Sequence, residues 1–201
     1  MKSKISLKKN SRIKKLLGFL KEIDKAKHIE RKIHIAGRKQ METDAEHSWH
    51  VAMFVMLFEK DLPKINIERV LKMVLIHDLV EIYAGDTFSF DKEGKKSQKK
   101  REEKAARKLF RKLPKNLEIE FHGLFNEYEE IKTKEAMVAK SFDRVQPMMQ
   151  HILNKGETIR KFGFTKQDIE DYVRRNMTHD ETIMTIYNIL FNELRRKKIA
   201  L

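Results

Sequence analysis

Six side chains pose the chemical question: His47, His77, Asp78, Glu81, Asp86 and Asp143. His47 opens a strongly apolar segment that continues through residues 51–58, and His77-Asp78 sits late in a second, among Val74, Leu75, Ile76, Leu79 and Val80. A buried carboxylate costs several kcal/mol unless it is paired or bound to a metal. Two imidazoles and a carboxylate on neighbouring core helices suit a divalent ion, which takes imidazole nitrogen and hard carboxylate oxygen together. Asp143 is the candidate fourth ligand, on another apolar segment beside Ala139, Phe142 and Val145. Taken singly, His47 reads as a packed core histidine, Asp143 as a partner for a cation, and a His-Asp dipeptide as chance. The order His, His-Asp, Asp across three apolar helices outweighs those readings. Glu81 follows His77 by four residues and Asp78 by three, spacings that share one helix face. Its carboxyl is placed for general acid or base work. Asp86, just past Gly85, lies within reach of the same pocket. Pro147 lacks the N–H that would bond the Asp143 carbonyl, so a kink is expected where this acid sits.

The elements that must position these groups read as helices. Seven Gly and three Pro in 201 residues leave few breaks, and 3.6-residue patterning outweighs alternation. The first helix is expected over residues 11–33, with Leu16, Leu17, Leu20 and Ile23 on one stripe. Thr43-Asp44-Ala45-Glu46 matches a capping box for a helix running to about residue 60. That helix is apolar nearly all round, Trp49 included, and so belongs in the core. Pro63 closes it, and Asn66 caps the next, expected over residues 67–83 with Gly85 just past its end. A polar loop is expected over 86–96, with the basic cluster 95–101 solvated, and further helices over 97–112, 117–130, 133–154, 168–176 and 181–198. His50, one turn past His47, is a possible neighbour of the site; His122, His151 and His179 match no motif and read as ordinary surface or core histidines.

Length and composition bound the class. A chain of 201 residues suits a single domain with a sizeable core. The absence of cysteine excludes disulfides, Cys-ligated zinc, iron–sulfur clusters and thiol nucleophiles. No apolar run approaches a membrane span and no signal peptide is read, so a cytoplasmic protein with no membrane partner is expected. The formal net charge of +14 invites a nucleic-acid reading. Its location argues against one: residues 1–15 carry seven Lys/Arg and no acid, and residues 191–201 carry four Lys/Arg and one acid. The expected organisation is therefore a basic flank at 1–15, a helical domain at 16–190, and a basic end of the last helix at 191–201.

Three blocks carry a resemblance: Glu42-Thr-Asp-Ala-Glu-His47-Ser-Trp-His, Leu75-Ile-His77-Asp78-Leu-Val-Glu81-Ile-Tyr-Ala-Gly85-Asp86 and Phe142-Asp143-Arg-Val-Gln-Pro147. With these the chain resembles the HD-domain metal-dependent phosphohydrolases, and most of all the small HD hydrolases that include the 5′-deoxynucleotidases. The resemblance implies an all-α, single-domain helical bundle around one metal site, often in a homodimer. It implies His47, His77, Asp78 and Asp143 as ligands to one divalent ion (Mn²⁺, Co²⁺, Mg²⁺ or similar), with Glu81 and Asp86 as the catalytic acids beside it. Related sequences carry an arginine shortly before the Glu-x-x-x-x-His block; Gln40-Met41 stand there here, leaving Arg31, Arg38 and Lys39 as candidates to meet a substrate phosphate.

The expected function is hydrolysis of a small-molecule substrate, a nucleoside 5′-monophosphate and most of all a deoxynucleotide. One alternative is an HD-type phosphodiesterase or nucleoside triphosphatase, because fold does not set substrate. Another is a non-enzymatic helical module whose basic ends hold nucleic acid or an acidic partner, which leaves the buried acids without a purpose.

Overall fold

The computed structural model describes residues 2–62, 64–174 and 177–199. Pro63 and Asn176, expected to end helices, lie outside these residues. The first helix, α1 (Lys2–Ile23), does not extend to residue 33. A 3₁₀ turn at Asp24–His28 follows it, and then a two-stranded antiparallel ribbon, β1 (Glu30–His34) with β2 (Met41–Thr43), pairing Glu30 with Thr43 and His34 with Met41. The alternation of Ile29, Arg31, Ile33 and Ile35 is the period-two signal that the helical reading passed over. It turns Ile33 inward, buried, and Arg31 toward the interior at 14% side-chain exposure.

Helix α2 (Asp44–Phe58) starts at the expected capping box. Thr43 Oγ1 accepts from the Glu46 N–H at 3.3 Å, and Glu46 accepts from the Thr43 N–H at 2.8 Å. Its burial is one-sided: His47, Val51, Ala52, Phe54 and Val55 are buried, whereas Trp49, expected in the core, is 63% exposed. Helix α3 (Ile67–Ile76) is capped by Asn66 and ends early. Residues His77–Val80 wind as a 3₁₀ turn into the short α4 (Glu81–Ala84), so the segment expected as one helix over 67–83 is three pieces. Helix α5 (Lys92–Phe110) takes in the basic cluster expected as loop. Asp91 caps it, accepting from the Gly94 N–H at 2.9 Å, and Ala105, Ala106, Leu109 and Phe110 anchor it. Arg101, within that cluster, donates to the Ala84 carbonyl and, at 2.6 Å, to Thr87 Oγ1, which clamps the chain leaving α4.

Helices α6 (Lys115–Glu130), α7 (Lys134–Leu153), α8 (Glu157–Phe162), α9 (Lys166–Val173) and α10 (Glu181–Arg196) complete the chain. The architecture is a helical bundle with one small ribbon. Helix α7 is its axis, running on through Pro147 and packing against α2, α3, α6 and α10. Ala136, Val138, Ala139, Phe142 and Val145 are fully buried along it. A second apolar cluster, with Phe19, Val80, Leu109, Phe110 and Phe125, ties α1, the 3₁₀ turn, α5 and α6 together. The candidate site lies where α2, the 3₁₀ turn, α7 and β1 converge.

Candidate metal centre

His47 on α2, His77 and Asp78 on the 3₁₀ turn, and Asp143 on α7 meet in the interior. His47, His77 and Asp78 each offer a ligand atom, the three within 4.8 Å of one another. Asp143 Oδ1 lies 3.0 Å from His47 Nε2 and 3.5 Å from His77 Nε2. The 3₁₀ geometry decides which acids meet. Side chains three residues apart eclipse one another in such a turn, and Asp78 and Glu81 form a second group with Asp44 on α2, again within 4.8 Å.

The hydrogen-bond network sets which nitrogens carry protons. His77 Nδ1 lies 2.9 Å from the Val74 carbonyl, which can only accept, so Nδ1 is the donor. The Gln146 amide nitrogen donates to Glu42 Oε1 at 2.6 Å, so its carbonyl oxygen faces His47 Nδ1, at 2.9 Å, and makes that nitrogen a donor too. With both rings neutral, as metal ligands must be, both Nε2 lone pairs point at carboxylate oxygens: His47 Nε2 at Asp143, and His77 Nε2 at Asp78 Oδ1, 3.1 Å away. His77 Nε2 is buried with no hydrogen-bond partner. Acceptors this close repel unless a cation lies among them, and two imidazoles with two carboxylates are the donor set that a divalent ion takes. The four residues fit a metal ion on that observation.

Electrostatics agree. Burial disfavours a charged His77, but Asp78 and Asp143 outweigh it and raise its pKa to about 10, so without an ion the carboxylates draw a proton to the Nε2 position that would otherwise hold a metal. Asp78 is held below the usual carboxylate range by His77 and Arg31, against its own burial. Burial, then the charge of Asp78, pushes Asp44 up to about 8. The same two causes hold Glu81 well above its ordinary value. Burial also raises Asp86, against the pull of Arg31. The pocket is thus overloaded with acids and favours added positive charge.

Arg31, from β1, reaches into this cluster. Its Nη1 donates to Asp78 Oδ2 at 2.8 Å and lies 3.7 Å from Asp44 Oδ1; its Nε lies 3.8 Å from Glu42 Oε2. Asp86 follows Gly85 and lines, with Arg31 and Asp143, a narrow crevice beside the centre. Arg38 and Lys39 are elsewhere, exposed in the turn between β1 and β2. The structure therefore gathers seven of the nine candidate residues and leaves these two outside.

Four participants were not singled out from the sequence. Asp44 is buried at the first position of α2, where an acid usually serves the helix dipole. Glu42 is buried on β2 and Tyr128 on α6. Tyr128 donates to Asp143 Oδ2 at 2.7 Å, and its ring packs on His77 with centroids 4.8 Å apart. Gln146 alone had a signal, standing three residues after Asp143 on the same helical face. His50, considered as a neighbour of the site, lies 3.2 Å from the Gln146 amide nitrogen.

Known proteins similar to this chain share one family. Residues 23–184 match the family described as HD domain. The 5′-deoxynucleotidase HDDC2 of Xenopus laevis is 28% identical over 186 residues, covering 92% of this chain and 87% of the relative. The human protein of that name is 26% identical over 172 residues, covering 85% and 82%. A crystal structure of a predicted metal-dependent phosphohydrolase from Magnetospirillum magnetotacticum MS-1 superimposes with a TM-score of 0.86 at 34% identity, covering 94% of this chain and 98% of that one. The PH0347 protein from Pyrococcus horikoshii OT3, at 21% identity and a TM-score of 0.63, shares the fold. The family match takes in every segment that reaches the buried centre, and the chain belongs to the HD-domain family.

Proposed function

We propose that the protein is a metal-dependent phosphohydrolase that removes phosphate from nucleoside 5′-monophosphates, with deoxynucleotides as the favoured substrates. The observation that carries this reading is the set of buried acceptors of His47, His77, Asp78 and Asp143 facing one another at 3.0–3.5 Å, beside an arginine and a crevice. Those four residues would hold one divalent ion, Mn²⁺, Co²⁺, Mg²⁺ or similar. A bound ion supplies positive charge that polarises a phosphoryl group and acidifies water. Arg31 meets the phosphate oxygens, exchanging part of its pairing with Asp78 for the substrate. Glu81, whose protonated form burial and Asp78 favour, donates to the leaving 5′ oxygen. Asp86, at the crevice, orients water or the sugar. We take residues 16–190 as the working unit, with 1–15 and 191–201 as basic flanks.

The chain is further proposed to form a homodimer through an exposed apolar face. Leu20, Trp49, Met56 and Leu75 line one groove and are each 48–63% exposed. An apolar patch of that kind marks an interaction surface.

The test is phosphate release from ribo- and deoxyribonucleoside monophosphates and a sugar phosphate, by chelator-treated protein given Mn²⁺, Co²⁺ or Mg²⁺. Release that needs metal, favours deoxynucleotides and falls below detection in a folded Asp78→Ala variant is the expected result. Undiminished release by metal-stripped Asp78→Ala would overturn the reading.

A further inference from the structure

The crevice beside Asp143 and Arg31 runs away from the metal cluster along one face of α7. Asp143, Pro147 and His151 line it at successive i, i+4 and i+8 positions. Its far wall is aromatic. Phe88 and Phe90 come from the loop after Asp86, Phe164 precedes α9, and Tyr172 lies on α9. Phe90 and Phe164 stack with ring centroids 4.1 Å apart, and Phe90 meets Tyr172 at 5.6 Å. The Ser89 hydroxyl donates to the Tyr172 hydroxyl at 3.0 Å, which holds the loop against α9.

Two polar groups in this wall have a buried nitrogen without a partner: Arg144, which already donates through Nη1 to the Tyr172 carbonyl at 2.9 Å and lies over the Tyr172 ring, and His151, which makes no such contact. It is 8% exposed, and its Nδ1 is buried without a hydrogen-bond partner. Burial pushes its pKa down to about 4, so the ring is neutral at physiological pH and offers one donor and one acceptor. Leaving a buried polar atom unpaired is costly, because the group gives up its water and gains nothing. A structure bears that cost most simply where a ligand supplies the partner. His151 lies two helical turns beyond Asp143, about 12 Å along the axis at 1.5 Å per residue. That is the scale of the span from a 5′-phosphate across its sugar to the base.

We propose that this crevice is the nucleoside subsite: the base packs against Phe88, Phe90, Phe164 and Tyr172, and its polar edge hydrogen-bonds to His151. The proposal rests on the nucleotide reading above and deepens it by naming what recognises the base. Flat aromatic faces accept any base, whereas a single imidazole reads its edge, so His151 determines specificity and takes no part in the phosphoryl chemistry. The crevice has a free volume of about 60 Å³, room for only a few waters. Displacement of the loop carrying Phe88 and Phe90 when a base enters is therefore part of the proposal.

The experiment measures kcat/KM for a deoxynucleoside 5′-monophosphate and for 2-deoxyribose 5-phosphate, which has no base, in the full chain and in His151→Ala, His151→Gln and Phe90→Ala. Wild-type protein should favour the nucleotide. His151→Ala should cut that preference about five- to tenfold, mainly through KM, as the loss of one hydrogen bond of about 1 kcal/mol would. His151→Gln, which keeps a donor and an acceptor, should restore part of it, and Phe90→Ala should lower it independently. A purely structural role for His151 would depress both substrates alike. An unchanged preference in His151→Ala, or none in wild type, would overturn the proposal. Calorimetric titration of the full chain with a deoxynucleoside provides a readout that needs no turnover. Binding that weakens in His151→Ala supports the subsite even if no ester is hydrolysed, and that outcome would count against the phosphohydrolase reading alone.

Discussion

Gln146 shows how much of the site depends on residues that hold no metal and no substrate. Its amide joins Glu42 to His47 and so dictates which His47 nitrogen is free. Partners of this kind set ligand orientation, and removing one typically costs 10- to 100-fold in metal affinity. Gln146→Leu is expected to weaken Mn²⁺ binding by about that factor, read by calorimetric titration, and to lower Tm because Glu42 loses a donor. Unchanged Mn²⁺ affinity would show that packing alone orients His47. At this scale the sequence was legible where a residue was out of place in an apolar setting, as with His47, Asp78 and Asp143. It was silent where a residue looked ordinary. Asp44 reads as a helix-start acid and Glu42 as one more acid ahead of the capping box, yet both are 1% exposed. Only the approach of β1 and the 3₁₀ turn turns them into members of one acidic cluster with Arg31.

Among the elements, the break of α3 at Ile76 has the largest chemical effect. A continuous helix would place Glu81 on one face with both His77 and Asp78; the 3₁₀ turn sets it with Asp78 and Asp44 and leaves His77 facing Asp143. The short α4 that follows the turn ends at Gly85, whose φ of 75° and ψ of 147° lie in a region that residues with a side chain rarely adopt. Nothing crowds a Cβ there, so the cost of substitution is conformational. Gly85→Ala is expected to cost about 1–3 kcal/mol in chemical denaturation. Because Asp86 follows directly, turnover should fall more than stability alone explains. A variant with wild-type kcat would show that Asp86 need not be placed so closely. The ribbon teaches a complementary lesson: alternation at Ile29, Arg31, Ile33 and Ile35 was present in the sequence but short, and the helical pattern before it masked it.

For the whole molecule, the exposed apolar face around Trp49 sets the expectation. Trp49→Glu is expected to convert a sedimenting dimer to monomer without unfolding the bundle, since the residue is 63% exposed and contributes little to the core. A monomeric wild-type protein, or a dimeric variant, would refute the homodimer. The basic flank is helical: residues 8–15 lie in α1 and are exposed, and Arg12 hydrogen-bonds to Asn116 on α6 at 2.7 Å. The sequence by itself determined the helical class, because apolar periodicity is a local property of the chain. It also marked the imidazoles and acids that stand out by burying charge in apolar surroundings. Only the tertiary structure decided which lone pairs face one another, which of three upstream cations reaches the acids, and where aromatic rings wall a crevice. Those depend on contacts between residues as far apart as Arg31 and Asp78, or Phe90 and Phe164, and a through-space distance has no signature in the spacing of one chain.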